Sequence, residues 1–203
     1  MRKTAGLLLV GSLFATACAL RPPRVSLEPL GTVGLVEFRT TAKGTIGVFA
    51  AQVFLEVVIK SQPGVRIKEL GPEEALLAEV GADRPTSEAA AALGRKFGLD
   101  AVFFGTLEMS DIRPRIDIAS IITSATASAD VEAVLSIKLI DAREGTTLWA
   151  GSARDRRSVG QVSIFKGGGV FFDARDPKEA YGDLVYALAH RVTRDFQWRR
   201  GLW

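Results

Sequence analysis

The chain has 203 residues, 47% of them hydrophobic and 24% charged, which suits one packed domain and excludes a disordered chain. Its formal net charge of +3 falls close to balance once Arg2 and Lys3 are set aside, leaving 24 basic residues against 23 acidic ones, so charge does not point to nucleic acid. A single cysteine, Cys18, excludes disulfide stapling, and a single histidine, His190, leaves a zinc site without its usual donors.

Met1–Ala17 has a basic start, an apolar core (Leu7, Leu8, Leu9, Val10, Leu13, Phe14) and small residues (Ala15, Thr16, Ala17) just before Cys18. This is the layout of a secretory leader. Its apolar stretch is shorter than the roughly 20 residues that span a bilayer as a helix. Ala15-Thr16-Ala17-Cys18 resembles the lipobox of bacterial lipoproteins. That resemblance implies cleavage after Ala17 and acylation of Cys18. With the non-acidic Ala19 next, it also implies sorting to the outer membrane. A covalent lipid on Cys18 is then the one attached group expected, with no other cofactor. Residues 18–30, which carry Pro22, Pro23 and Pro29, read as the lipidated cysteine and a short extended tether, leaving 31–203 as the domain.

Thr32–Phe38 is a compact apolar run and predicts a buried strand. Thr45 is placed to cap a helix to about Ser61, with Phe49, Val53, Val57 and Ile46, Ala50, Phe54 on a broad apolar face and Pro63-Gly64 as its stop. Val65–Leu70 alternates as a strand. Pro72 opens a short helix with Glu73 and Glu74 in its first turn, closed by Gly81. Thr86–Phe97 is an alanine-rich helix stopped by Gly98. Asp100–Met109 is apolar on both faces, as a central strand is. Val131–Ile140 alternates cleanly, Asp141–Gly145 turns, and Thr146–Ser152 returns beside it. From Asp176 a long helix carries the stripe Tyr181, Leu184, Val185, Leu188, Val192, Phe196. The expected class is therefore α/β: a mixed β-sheet packed against helices, with an antiparallel C-terminal meander and a long C-terminal helix.

Three stretches carry a family resemblance: the opening strand VGLVEF, the helix-to-strand run LGRKFGLDAVFFGTLE, and the hairpin LSIKLIDAREGTTLWAG. In this order, with the lipobox and the ending Arg200-Gly201-Leu202-Trp203, they resemble the curli-assembly (CsgG-type) lipoproteins. Relatives of that group include LpoB-type activators of penicillin-binding proteins and the N-terminal domain of TolB. The resembling residues are fold determinants rather than catalytic ones, so they imply architecture more than activity.

Catalytic residues are not expected. His190 falls opposite the apolar stripe of the last helix, no Gly-x-Ser-x-Gly elbow is present, and Lys166-Gly167-Gly168-Gly169 lacks the spacing of a phosphate loop and reads as a hairpin tip. Glu73, Glu74 and Glu79 read as a solvated acidic face. Arg154, Arg156 and Arg157 form the sharpest basic cluster, set against the ordinary reading of a charged edge that blocks strand aggregation. With Ile164, Phe165, Phe171 and Phe172 they are the candidate partner-binding residues. Trp198 and Trp203, flanking Arg199 and Arg200, are candidates for an interfacial belt or a subunit contact.

Two stretches, Ser110–Asp130 and Arg154–Asp176, exceed what a plain domain needs. In the pore-forming curli lipoproteins, insertions at about these places are hairpins that close a shared membrane barrel. Here lipid-facing alternation is poor in both, and ordinary strands or loops are the plainer reading. The expected function is a non-enzymatic, periplasm-facing outer-membrane lipoprotein that aids envelope assembly or export through protein contacts. Its partners would be the membrane, an envelope protein and other copies of itself, with no nucleic acid. The alternatives are a subunit of an oligomeric secretion channel and an activator of a cell-wall synthase.

Overall fold

A computed structural model describes residues 20–21, 24–42, 44–110, 113–115, 127–164, 170–171, 177–197 and 199–200, with side chains over 24–42, 44–110, 130–157 and 181–197. Cys18, Phe165, Phe172, Trp198, Trp203 and the glycines 167–169 lie outside the described residues.

In chain order the strands are β1 (Leu20–Arg21), β2 (Thr32–Glu37), β3 (Arg39–Thr40), β4 (Arg66–Pro72), β5 (Ala101–Met109), β6 (Arg113–Arg115), β7 (Ala127–Asp141), β8 (Thr147–Ile164), β9 (Val170–Phe171) and β10 (Arg199–Arg200). The helices are α1 (Ile46–Ser61), α2 (Glu73–Glu79), α3 (Ser87–Phe97) and α4 (Pro177–Val192), the last followed by a 3-10 turn, Thr193–Phe196. The main sheet runs β4-β2-β5-β7-β8-β9, with β3 also on β5 and β6 also on β7. β4, β2 and β5 are parallel, whereas β7 and β8 are antiparallel to their neighbours. The expected α/β class, with its mixed sheet, meander and long last helix, is what the chain forms.

Period-two alternation sorts the sheet into two cores. On one face Val33, Leu35, Phe103, Leu107, Leu135, Ile137 and Leu139 pack against α1 and α4. On the other, Val36, Val102, Phe104 and Ile140 meet Leu76 of α2 and Ala90 and Leu93 of α3. β5 is covered on both sides, which is why its sequence is apolar at nearly every position. Phe103 sits at the centre of an aromatic chain. Its ring lies 5.1 Å from Phe54 of α1 and 6.1 Å from Phe196, which in turn lies 4.5 Å from Trp149 of β8. These edge-on and tilted contacts tie helix, central strand and meander together.

The helix ends differ in how they are made. The Thr86 hydroxyl accepts the Ala89 N–H, and Gly98 takes the left-handed conformation (φ 68°) that closes α3. Thr45 holds the cap position of α1 but makes no side-chain cap bond. Pro72 stands just before α2 rather than inside it, and its neighbour Glu73 is buried, not solvated as the acidic-face reading expects.

The extended tether does not hold for the part described. Leu27 is fully buried in the larger core, between Pro23 and Pro29 in sequence. The Gln62 side chain, just past α1, accepts the Leu27 N–H at 3.0 Å and donates to the carbonyls of Val25 (2.9 Å) and Phe196 (2.8 Å). The Val25 N–H reaches the Asp195 carbonyl, and β1 pairs with β10 through Leu20–Arg200 and Arg21–Arg199. The segment before β2 is thus laid against the last turn of the chain. Leu27→Ala is expected to cost about 2–5 kcal/mol, the range for deleting a buried leucine side chain. Urea unfolding measures it, and a loss near zero would restore the tether.

Candidate functional site

α2 and α3 are short, and they cover the second face of the sheet only over Val36, Val102, Phe104 and Ile140. The rest of that face, carried by β5, β7 and β8, is open. Glu108, Ser136, Lys138, Leu148, Ala150, Ser152, Arg154 and Arg156 are exposed along it. Ser136 and Ser152 face each other across the strands with hydroxyls 3.0 Å apart. Where the helical cover stops, a cleft of about 470 Å³ opens between the sheet and the start of α2, lined by Arg39, Glu73, Pro85, Phe104, Lys138 and Ser152 among others.

Glu73 is the unusual group in this cleft. It is only 6% exposed, because its position in α2 puts it on the same face as the core residue Leu76 and the buried Leu77, three and four places on. Burial pushes its carboxyl above the usual carboxylate range. The Arg39 guanidinium, 3.9 Å away, opposes that shift, and Glu74 adds to it. The opposite behaviour appears at Asp100, which accepts the Thr32 N–H at 2.9 Å and pairs with Arg143 of the β7–β8 turn. The Thr32 N–H chiefly holds that carboxyl below its ordinary value. Asp100 is a strand-start anchor, whereas Glu73 lines a cleft.

Beyond the cleft, β7 and β8 run on as a ribbon. Their pairing continues from Leu139–Trp149 to Ala127–Val162. The strand expected to stop at Ser152 therefore continues to Ile164, and the second outlying stretch begins as part of it. β6 pairs with β7 on one side, and β9 closes a short hairpin onto Ser163 and Ile164. Between Thr147 and Val162 the outer edge of β8 meets no strand among the described residues.

The arginine cluster is divided by strand parity. Arg154 and Arg156 project on the open face, Arg154 to Glu132 (3.2 Å) and Arg156 to Asp130 (2.8 Å). Arg157 takes the α4 side with Asp155 (3.3 Å), which also binds Arg191 (3.1 Å). Arg191 donates to the Arg154 carbonyl as well, at 2.9 Å, and so caps one group of the open edge. Ile164 and Phe171 are brought together by backbone register: Ile164 opposes Val170, and Phe171 opposes Ser163. His190 is exposed on α4, away from the cleft. No group of three metal-binding side chains occurs among the described residues, and no helix among them is long and apolar enough to cross a membrane.

No protein-family profile matches the sequence, and no curated protein is similar to it. Solved structures similar in shape include the following three. PelC from Paraburkholderia phytofirmans, a dodecamer, matches at 16% identity over 89% of this chain and 98% of that one, with a TM-score of 0.46. Lipoprotein GNA1162 from Neisseria meningitidis matches at 18% over 63% and 83%, with a TM-score of 0.41. The LpoB C-terminal domain from Salmonella enterica matches at 10% over 64% and 95%, with a TM-score of 0.37. At such identities and scores the likeness carries nothing about side-chain chemistry.

Glu73 sets a pH test. A carboxyl raised in the folded state adds stability that is full below its unfolded value and is lost as pH rises through the folded one. Glu73→Gln is therefore expected to gain stability over the native chain as pH climbs from about 4 to about 8, and to match it near the acid end. Urea midpoints at several pH values read this; parallel curves for the two proteins would mean that Glu73 is ordinary.

Proposed function

We propose that this chain is a non-enzymatic, lipid-anchored protein of the bacterial outer membrane that faces the periplasm and aids envelope assembly or export by holding protein partners. The observation that carries the reading is the β7–β8 ribbon, which exposes the face carrying Ser136, Lys138, Ser152, Arg154 and Arg156 and whose outer β8 edge meets no strand among the described residues from Thr147 to Val162. An unpaired strand edge is a template for a partner's backbone, and the charged pairs on the adjacent face select which partner approaches. Arg154 and Arg156 lie on that face, with Ile164 and Phe171 on the hairpin beyond it, and Arg157 serves the α4 side. The leader and lipobox-like run ending at Cys18 support the anchor.

A second reading, a self-assembling channel subunit, draws on one further observation: the β6–β7 and β8–β9 pairs leave the same end of the sheet. It needs those pairs in the membrane that holds the lipid.

Expressed as the full chain in a Gram-negative host, the protein is expected to gain the mass of a diacylglyceryl modification. Cys18→Ala is expected to lose that mass and membrane retention together. A photo-crosslinker at Ser152 is expected to trap protein in the envelope, while one at Glu56 on α1 is not. Adducts of equal yield from both positions would remove the ribbon from the proposal. Adducts with the chain itself would mark a homo-oligomer.

A further inference from the structure

The β1–β10 end of the domain is the part that Cys18 cannot leave. β1 starts two residues after Cys18, and Val25, whose backbone is bonded to Asp195, is the seventh residue after it. Seven fully extended residues reach about 25 Å. The ribbon runs the other way. Asp195 lies beside Trp149 near the start of β8, 3.4 Å from its indole nitrogen, and Ile164 is fifteen strand residues further on, about 50 Å.

The same end concentrates arginine. Arg21, Arg199 and Arg200 occupy the paired strands β1 and β10, with Arg21 directly opposite Arg199. Arg24 and Arg194 are exposed beside them, and Asp195, 3.6 Å from Arg24, is the acidic residue in their midst.

We propose that this end is a membrane-docking surface for anionic phospholipid headgroups, which turns the domain so that the β7–β8 ribbon points away from the bilayer that holds the lipid. The proposal rests on the lipid-anchored reading for its geometry, and on the arginines and the β1–β10 pairing for its chemistry. Guanidinium groups bind phosphate in a fork, and each basic residue near an anionic surface strengthens partitioning by about fivefold. The orientation also sets the proposal against the channel reading, which needs the ribbon inside the anchoring membrane.

The test uses the full chain, extracted in detergent and placed in nanodiscs. Intact mass first reports whether Cys18 is acylated, which judges the anchor separately. With Cys18 blocked by lipid, Lys60→Cys and Glu108→Cys each provide a single labelling site. Lys60 lies at the Gln62 end, and Glu108 lies about 25 Å along β5 toward the ribbon. Energy transfer to headgroup-labelled lipid is expected to be much stronger from Lys60→Cys in discs containing phosphatidylglycerol. That difference is expected to shrink in pure phosphatidylcholine, and to shrink in Arg199→Glu/Arg200→Glu. Arg194→Glu, at an exposed site off the strand pair, is expected to act in the same direction by a smaller amount, which guards against mere loss of the β1–β10 pairing. Equal transfer from both labels, stronger transfer from Glu108→Cys, or indifference to lipid charge would overturn the proposal. Should Cys18 prove unmodified, flotation of the chain with phosphatidylglycerol vesicles decides the surface alone. Binding weakened about 25-fold by the double substitution sustains it, and no binding ends it.

Discussion

One buried amide holds the two ends of this chain together. Gln62 is 7% exposed, and its side chain spends its oxygen on Leu27 and its nitrogen on Val25 and Phe196, while its backbone N–H ends α1 on the Val58 carbonyl. Glutamine alone among uncharged side chains of that reach can accept from one strand of chain and donate to two others. Without that exchange the Leu27 N–H and the Val25 and Phe196 carbonyls would lose their shared partner beside the core slot that Leu27 fills. The position of residues 24–30 follows from this junction.

The second organising fact is unequal cover. α1 and α4 are each sixteen residues long and blanket one face of the sheet, whereas α2 and α3 are shorter and reach β7 on the other only at Ile140, leaving the facing positions of β8 exposed. That imbalance produces the cleft, buries Glu73 at its rim, and frees the ribbon to extend. Antiparallel pairing keeps the ribbon together past the core, since each new residue finds its hydrogen bonds across the strand rather than in a helix. Ion pairs across β7 and β8 take the place of burial on its open side. Their worth is modest at exposed positions, so the ribbon is sustained mainly by backbone.

Much of this architecture is legible in the residues themselves. The alternation of Val131, Ala133, Leu135, Ile137 and Leu139 names the face that α4 covers, Thr86 and Gly98 bracket α3, and the stripe from Leu184 to Phe196 is the buried side of the last helix. What stays hidden is what distance in sequence conceals. Leu27 sits among prolines and charges, and the partners that bury it lie far along the chain, up to Phe196. Glu73 resembles a first-turn acid, and only its spacing to Leu76 and Leu77 hints that it turns inward. Beyond Ala153 the α4-facing positions of β8 are Asp155 and Arg157, which meet that helix through charge rather than apolar packing, so the strand's period is invisible. The split of Arg157 from Arg154 and Arg156 obeys the two-residue repeat that the same strand shows earlier. Cys18, Phe165 and Phe172 lie outside the described residues, so their roles still rest on the sequence.

The Gln62–Phe196 bond also has a temporal meaning. Its two residues are 134 apart, and the slot that receives Leu27 is completed by the last turn of the chain. A contact of such span forms late, because the whole intervening loop must close first. Residues 24–30 therefore stay outside the core until nearly all the rest of the domain has folded. Closure then buries Leu27, so this corner of the core is the last part of the fold to set.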